Sequence, residues 1–351
     1  MKNQTSSRKL EHINLSLNNN VQFKISNQFE NISLLPKNSK TIVQSEVDIS
    51  TLFLGRKVGA PIFISAMTGG HEKTFQINKN LAEAADEFNI PMGLGSQRAM
   101  IENSNLAYTY DVKKYYDIIL LGNIGIAQLA NYKSSQIERM LDEVHADALC
   151  VHTNPAQEIA QPEGNLGFKN AFANLKSLAD AIDYKVILKE VGNGISKEVA
   201  EKVNRTKVYG IDTGGAGGTN WIAIELFRNY SHDMDFIKEW GIPTAQSLIE
   251  IKSVFKRSVT ATGGIRTGSD VVKAISLGAE SCGIAMPMLK ANKHGSNGIK
   301  HYIARLIDDI KHEMSLLNCA SIEELKSLKF TINAPLSDVL KQRNIDLNHL
   351  R

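Results

Sequence analysis

Short apolar runs alternate with longer amphipathic stretches along the chain from about residue 61 onward. Eight of these runs are bounded by glycine or polar turn residues, as is typical of strands buried on both faces; they cover 62–65, 91–94, 118–121, 148–152, 186–189, 207–211, 258–261 and 281–285. The intervening pattern predicts helices over 73–88, 104–115, 134–145, 169–182, 196–204, 244–256, 268–277 and 298–317.

Helix boundaries are indicated by polar residues at a few positions. Ser134 and Ser196 stand where N-caps are expected, and Ser321 with Glu324 reads as a capping box that opens a further, C-terminal helix. The clearest helix is the one over 298–317, because its apolar residues recur at the 3.6-residue period of an amphipathic helix.

Eight alternating strand–helix units favour an α/β fold of the (β/α)8 TIM-barrel type over an open, doubly wound sheet. Residues 1–55 are polar and rich in asparagine, and we interpret them as an N-terminal extension that folds over the barrel mouth. The barrel itself is predicted to span 56–318, followed by a short helical C-terminal tail over 319–351.

Composition and charge exclude several classes of protein. The 351 residues carry 40 basic and 37 acidic side chains, so the net charge of +3 favours neither nucleic acid nor an anionic membrane as partner. Three cysteines, Cys150, Cys282 and Cys319, do not suggest a disulfide framework, and we expect Cys150 and Cys282, which lie in short apolar runs, to be buried thiols. The sequence shows neither a signal peptide nor a transmembrane run, which favours a cytoplasmic protein.

Glycines concentrate where a barrel holds its ligands. Of 25 glycines, 15 lie between residues 192 and 298, many of them just past the fifth to eighth strands. Glycine allows backbone N–H groups to approach an anion closely, and a following helix N-terminus favours negative charge. Gly263, Gly264 and Arg266 follow strand seven, where many barrels bind phosphate. We therefore predict a phosphorylated cofactor.

Two long connections, 153–167 and 213–243, follow strands four and six. His152 immediately precedes the first connection, which contains Asn154, Gln157 and Glu158. These residues form either a polar loop with one hydrogen-bonded histidine or a ligand-binding site. One carboxylate is too little for a closed zinc site, but Glu158 suits Mg²⁺ that is shared with substrate phosphates. Lys189, at the end of strand five, is either a solvated charge or a partner for an anionic, reduced flavin ring.

Basic residues also cluster near the start of the chain, at Arg8, Lys9 and His12. Such a cluster is more often a solvated tail. If the extension covers the barrel mouth, these residues become ligands for a second phosphate group.

Taken together and in order, the motifs resemble those of the type 2, FMN-dependent isopentenyl-diphosphate isomerases. They are Arg-Lys-x-x-His at Arg8, Met-Thr-Gly-Gly at Met67, Gly-Ser-Gln-Arg at Gly95, His-x-Asn-x-x-Gln-Glu at His152, Lys-Glu-Val-Gly-x-Gly at Lys189, Gly-Gly-Ala-Gly-Gly-Thr-Asn at Gly214 and Gly-Gly-Ile-Arg at Gly263. The resemblance ends near Pro287. It departs from the family at Gly122, where we expect alanine, and the last sixty residues carry no motif of the family.

This resemblance implies an isomerase that interconverts isopentenyl and dimethylallyl diphosphate through a 1,3-allylic proton shift in isoprenoid biosynthesis, with reduced FMN as acid and base. It implies NADPH as the flavin's reductant, Mg²⁺, and a homo-oligomer, a tetramer or octamer. The residues implied to contact FMN are Ala66, Met67, Thr68, Ser96, Asn123, Lys189 and Thr219, with Gly263, Gly264, Arg266, Ala285 and Met286 at its phosphate end.

On the substrate side, the resemblance implies that the diphosphate is bound by Arg8, Lys9, His12, Ser96, Gln97 and Arg98. Gln157 would sit at the reacting carbons as a catalytic residue, with His152 and Asn154 in the same site and Glu158 on the metal. Two rival interpretations stay open: an FMN-dependent oxidoreductase acting on 2-hydroxy acids, and a non-catalytic module that binds a phosphorylated ligand.

Overall fold

The computed structural model of the chain describes residues 4–36, 42–164, 168–229 and 234–347. Ahead of the barrel lie a helix and three short strands, α1 (Gln4–Asn18), β1 (Ile32–Leu34), β2 (Thr51–Phe53) and β3 (Arg56–Val58). The expected polar extension therefore begins with a helix that the hydrophobic pattern did not predict. The predicted connections 153–167 and 213–243, and the tail over 319–351, each fall partly outside the described residues.

Eight parallel strands close into a barrel in chain order, and they are β4 (Ile62–Ile64), β5 (Met92–Gly93), β6 (Leu120–Gly125), β7 (Ala148–Thr153), β8 (Lys185–Glu190), β9 (Gly210–Asp212), β10 (Ser258–Thr262) and β11 (Ser281–Ile284). Closure occurs where β11 pairs with β4, with Cys282 aligned to Ile62 and Ile284 to Ile64. Each of the eight predicted apolar runs is one of these strands, so the predicted TIM barrel is confirmed.

Helices surround the barrel and follow its strands, namely α2 (Glu72–Glu87), α3 (Arg98–Glu102), α4 (Ser134–Asp142), α5 (Pro155–Ala160), α6 (Ala171–Ala181), α7 (Lys197–Asn204), α8 (Trp221–Asn229), α9 (Thr244–Val254), α10 (Gly268–Ser276), α11 (Met286–Ala291) and α12 (Gly295–Leu316). Seven of the eight predicted helices are present with shifts of a few residues at their ends. The helix predicted over 104–115 is wrong, because the chain there forms a 3₁₀ segment over Ser104–Thr109.

The predicted caps are partly confirmed. Ser196 caps α7, since its side chain accepts a hydrogen bond from the amide of Val199. Ser321 caps the C-terminal helix α13 (Ile322–Lys326) in the same way, but the predicted capping box is not formed, because Glu324 Oε2 accepts from the amide of Ala320 at 2.9 Å. The prediction for Ser134 is wrong: the N-cap of α4 is Lys133, and Ser134 is the first residue of the helix.

Beyond the barrel, the chain continues through α13, β12 (Phe330–Ile332) and α14 (Leu336–Gln342). β12 pairs antiparallel with β1, aligning Ile332 with Ile32 and Phe330 with Leu34. The segments that precede and follow the barrel are thus joined in a two-stranded sheet. The helix α1 packs on α8 and α11.

Two of the buried apolar clusters among the described residues build the barrel. The larger one fills the space between the strands and the surrounding helices. The smaller one fills the barrel interior, where Phe53 and Val58 of the β2–β3 hairpin pack with Phe63, Ile119 and Leu121. The rings of Phe53 and Phe63 lie 5.7 Å apart. Since these side chains fill the amino-terminal end of the barrel, space for a ligand is left at the carboxyl ends of the strands.

The three cysteines are buried and free, as predicted for Cys150 and Cys282. Of the helices in the part of the chain that the structure describes, none combines the length and apolar character that a membrane crossing requires.

Candidate functional site

A cavity lies at the carboxyl ends of the barrel strands, with α1 across its opening. Its wall includes every predicted site residue except Gln97, and they are Arg8, Lys9, His12, Ala66, Met67, Thr68, Ser96, Arg98, Asn123, His152, Asn154, Gln157, Glu158, Lys189, Thr219, Gly263, Gly264, Arg266, Ala285 and Met286. Residues from the start of the chain and from all the loops after strands thus meet in one place.

Gln97 does not lie at the cavity. Its side chain is fully buried in the barrel wall, where Oε1 accepts a hydrogen bond from the amide of Asn123 at 2.9 Å. Its Nε2 donates to the carbonyl oxygen of Met140 at 3.5 Å. The predicted contact between this residue and the substrate is therefore corrected: the side chain turns away from the cavity and into the wall.

Lys189 places a cation deep in the cavity. Its Nζ donates to the carbonyl oxygen of Glu190 at 2.7 Å and lies 3.9 Å from Oδ2 of Asp212. Burial raises the pKa of Asp212, and the nearby Lys189 opposes that rise. Burial likewise raises the pKa of Glu190 to about 7, although backbone amides of the following loop donate to its carboxylate. The ammonium group of Lys189 is thus held by the buried residues Glu190 and Asp212.

Two buried hydroxyls in the cavity wall fit a polar ligand. Within the described residues, Ser65 Oγ and Thr68 Oγ1 are buried and have no hydrogen-bond partner, and both side chains line the cavity. A buried hydroxyl without a partner is costly, so a ligand group that completes these bonds is favoured. Together with Lys189 and the basic Arg266, this donor set fits a flavin with a phosphate at one end.

The glycines after strand seven, which line the cavity, also allow a close contact between loops. Gly263 and Gly264 have φ values of +106° and +74°. A Cβ at Gly263 would lie 2.0 Å from the carbonyl oxygen of Gly215, and one at Gly264 would lie 2.5 Å from that of Gly217. These glycines allow the loops after strands six and seven to touch each other. This contact between the two loops sets how much room they leave for a phosphate group.

On the α1 side, Lys9 is tied to the loop after strand two. Its Nζ donates to the carbonyl oxygen of Ser96 at 2.7 Å and to the hydroxyl of Tyr110 at 2.6 Å. Burial, and then the charge of Arg8, lower the pKa of Lys9 to about 7, against the opposing effect of Glu102. This amine therefore changes its charge within the physiological range of pH. Arg8 itself lies 3.5 Å from Glu163.

A carboxylate that sequence reasoning missed, Glu225, joins three parts of the site. Its Oε1 lies 3.0 Å from His12 Nε2 and accepts from Gln157 Nε2 at 3.1 Å, while Arg228 pairs with Oε2 at 2.6 Å. Burial raises the pKa of Glu225, but these partners outweigh it and hold the pKa below its ordinary value. Glu225 lies on α8, inside a connection predicted as loop, so no motif marked it.

The first turn of α5 arranges the amides and the carboxylate predicted for catalysis and metal binding. Asn154 Nδ2 donates to Gln157 Oε1 and to Glu158 Oε1, both at 3.1 Å. Within the described ranges, no three His, Cys, Asp or Glu side chains come together as a protein-only metal site requires. A donor set with the single carboxylate of Glu158 fits Mg²⁺ only if substrate oxygens and water complete its shell.

His152 is neutral at physiological pH. Burial, followed by the charges of Lys189 and Lys9, lowers its pKa to about 3. Its Nδ1 lies 2.8 Å from Asn123 Oδ1. The ring therefore serves hydrogen bonding rather than charge at this position.

Comparison with known proteins agrees with this geometry. The family described as FMN-dependent dehydrogenase matches residues 134–331, more than half of the chain. Among solved structures, a flavocytochrome b2 variant with sulfite bound has a TM-score of 0.66 at 23% identity, covering 92% of this chain and 83% of that one. A mandelate oxidase variant has a TM-score of 0.64 at 15% identity, covering 95% and 99%. The chain has the fold of the FMN-dependent dehydrogenases and belongs to that class.

Curated relatives narrow the assignment. An isopentenyl-diphosphate delta-isomerase of Pyrococcus abyssi is 39% identical, with 99% of this chain and 98% of the relative covered. One of Methanocaldococcus jannaschii is 37% identical, with 97% and 98% covered. The chain is a member of the isopentenyl-diphosphate delta-isomerase family.

Proposed function

We propose that this protein interconverts isopentenyl diphosphate and dimethylallyl diphosphate by a 1,3-allylic proton shift, using FMN, in isoprenoid biosynthesis. The observation that carries the proposal is that the motifs shared with this isomerase family, from α1 to the end of β11, line one cavity. Apolar side chains fill the amino-terminal end of the barrel, so a ligand can reach the motif residues only from this cavity.

FMN would be held by the strand-end loops, with its phosphate at the glycine-rich side. The residues proposed to contact it are Ala66, Met67, Thr68, Ser96, Asn123, Lys189 and Thr219, and at the phosphate Gly263, Gly264, Arg266, Ala285 and Met286. When bound in its reduced form, FMN would supply the acid and base for the proton shift. Lys189 would favour an anionic, reduced ring, because a buried cation near the ring would offset its charge.

The diphosphate would lie under α1, where Arg8, Lys9, His12 and Arg98 surround the opening, with Ser96 beside them. Glu158 would hold Mg²⁺, which would offset the charge of the diphosphate. Binding energy from this charged end, remote from the reacting carbons, would hold the hydrocarbon end in place. Met67, Trp221 and Leu289 give the cavity an apolar side that suits an isoprene unit.

Gln157 would lie at the reacting carbons and orient the substrate there, with Asn154 fixing its amide oxygen and Glu225 its amide nitrogen. An amide does not protonate an alkene at neutral pH, so Gln157 positions groups and does not act as the acid. His152, which is neutral, lines the same space.

Electrons are not consumed by a proton shift, so NADPH would be needed only to reduce the flavin. We also propose a homo-oligomer, supported by the exposure of Phe236 and Trp240, at 82% and 58%. A reducing cytoplasm is supported by the three free, buried thiols. The division into an extension, a barrel and a tail over 1–55, 56–318 and 319–351 is retained as a proposal.

The test is an anaerobic assay of the full chain with isopentenyl diphosphate, FMN, NADPH and Mg²⁺. The proposal expects dimethylallyl diphosphate to form over many turnovers after a single reduction of the flavin. Continuing consumption of NADPH with each turnover, or oxidation of a 2-hydroxy acid in place of isomerisation, would favour the oxidoreductase instead. A purified protein that stays colourless after FMN is added would contradict both enzymes.

A further inference from the structure

Asn123 lies on β6 and His152 on the neighbouring β7, two residues beyond Cys150, the register partner of Asn123; their side chains share a hydrogen bond in the cavity wall. Asn123 Oδ1 lies 2.8 Å from His152 Nδ1, and Asn123 Nδ2 donates to the carbonyl oxygen of Leu94 at 2.9 Å. A carbonyl oxygen accepts hydrogen bonds and cannot donate them, so the amide nitrogen must be the atom that faces Leu94. The amide oxygen of Asn123 is therefore the atom that faces the imidazole.

This orientation determines where His152 carries its hydrogen. An amide oxygen only accepts, so the hydrogen must be on Nδ1 of the ring. Because the ring is neutral, its other nitrogen, Nε2, has a lone pair and no hydrogen. His152 lines the cavity, and none of the hydrogen bonds among the described residues uses Nε2. Nε2 of His152 is thus a hydrogen-bond acceptor that is open to a ligand in the cavity.

Gln97 holds Asn123 from the side away from the cavity. The side-chain oxygen Oε1 of Gln97 accepts a hydrogen bond from the backbone N–H of Asn123 at 2.9 Å. The backbone N–H of Gln97 donates to the backbone carbonyl oxygen of Asn123 at 2.8 Å. The side chain is in turn anchored in the wall through Nε2, which lies 3.2 Å from Met100 Sδ and 3.5 Å from the carbonyl oxygen of Met140. Both backbone groups of Asn123 are therefore held by one buried residue, and this hold keeps the Asn123 side chain within reach of the carbonyl oxygen of Leu94 that orients its amide.

We propose that Gln97 is a positioning residue that fixes His152, through Asn123, as the tautomer with hydrogen on Nδ1. The cavity-facing Nε2 then accepts a hydrogen bond from an N–H or O–H group of a bound ligand. A ring nitrogen that only accepts is repelled by unprotonated phosphate oxygens, so His152 selects against the diphosphate and for a donor group at this point. That second step rests on the proposed function; the tautomer itself does not.

The tautomer is tested by NMR of the full chain with bound FMN and ¹⁵N-labelled histidine, with the His152 signals assigned by their loss in His152→Asn. We expect a single neutral tautomer with hydrogen on Nδ1, unchanged between about pH 5.5 and 8.5. A ring with hydrogen on Nε2, or one that titrates near the ordinary value of about 6.5, would overturn the proposal.

The role of Gln97 is tested in Gln97→Met, which keeps the volume and removes the acceptor for the Asn123 amide. We expect mixed tautomers at His152 and a loss of kcat/KM of roughly ten- to a hundredfold. The matched control is Gln246→Met on α9, where the lost partner is Glu250; there we expect neither change. If His152 keeps one tautomer in Gln97→Met, the positioning role is refuted.

If Gln97→Met does not fold, Gln97→Glu replaces it, because a carboxyl oxygen still accepts from the Asn123 amide. We expect this variant to keep the wild-type tautomer, and mixed tautomers in it would contradict the proposal. Should the wild-type protein lack isomerase activity, the proposed function fails while the NMR signals still decide the tautomer.

Discussion

Lys9 provides the sharpest test of the substrate side of the cavity, because its charge is set by its burial. Its pKa is lowered to about 7, first by burial and then by Arg8, with Glu102 opposing. A bound diphosphate adds negative charge beside the amine and favours the ammonium form. We therefore expect substrate binding to be coupled to the uptake of a proton by Lys9.

The sign and size follow from that pKa. At pH 8, Lys9 with a pKa of about 7 is roughly nine-tenths unprotonated in the free protein, so binding takes up about 0.9 proton. At pH 6 the amine is already protonated, and uptake falls to about 0.1 proton by the same relation. The contribution of Lys9 to affinity is thus largest below pH 7. It falls about tenfold per unit of pH above 7, until the pKa of the bound state is reached.

The assay is calorimetric titration of the FMN-loaded protein with inorganic diphosphate and Mg²⁺, in buffers that differ in their ionisation enthalpy. The matched variant is Lys9→Arg, since a guanidinium keeps its charge throughout this range. Ionisation of the diphosphate itself is the same for both proteins, so the difference in proton uptake between them isolates Lys9.

We expect the wild type to exceed Lys9→Arg by close to one proton at pH 8 and by almost nothing at pH 6. Equal uptake by both proteins at pH 8 would refute the reasoning. So would a Lys9→Arg variant whose affinity keeps the wild-type slope with pH.

Three further substitutions test other parts of the site. Gln157→Ala should lower turnover by roughly a hundredfold, with FMN still bound as judged by its absorbance, because the amide proposed to orient the substrate is lost. An unchanged rate would remove Gln157 from the chemistry. Glu158→Gln should raise the Mg²⁺ concentration needed for half-maximal activity by roughly tenfold, since the one carboxylate is lost, and a wild-type Mg²⁺ titration would contradict the metal assignment. Gly264→Ala should lower the free energy of unfolding by about 2 kcal/mol and weaken FMN binding. The reason is that the new Cβ would lie 2.5 Å from the carbonyl oxygen of Gly217, at a φ of +74°. A melting temperature and a flavin affinity equal to those of the wild type would rule out the loop contact.

The barrel could be predicted from the sequence because its strands are buried on both faces. Runs such as Ile62–Ile64 and Ser281–Ile284 are short, apolar and bounded by turn residues, and that signal does not depend on distant contacts. The positions of most site residues followed from the same inference, since residues just after parallel strands meet at one end of a barrel.

What the sequence could not show depends on tertiary packing. The helix Trp221–Asn229 is buried on most of its surface, so it lacks the polar stripe by which a surface helix is recognised, and its Glu225 was missed with it. The position predicted for the Gln97 side chain was wrong for a related reason. A polar residue after a strand was expected to face the ligand, but only the packed structure shows that it is turned into the wall.

The pairing of β1 with β12 has a consequence for how the protein is made. Strand β1 ends at Leu34, and its partner residues, Phe330 to Ile332, leave the ribosome almost three hundred residues later. Until then, the segment that follows the basic helix α1 lacks its partner strand. The sheet that joins the two segments flanking the barrel therefore forms only after all eight barrel strands have been synthesised.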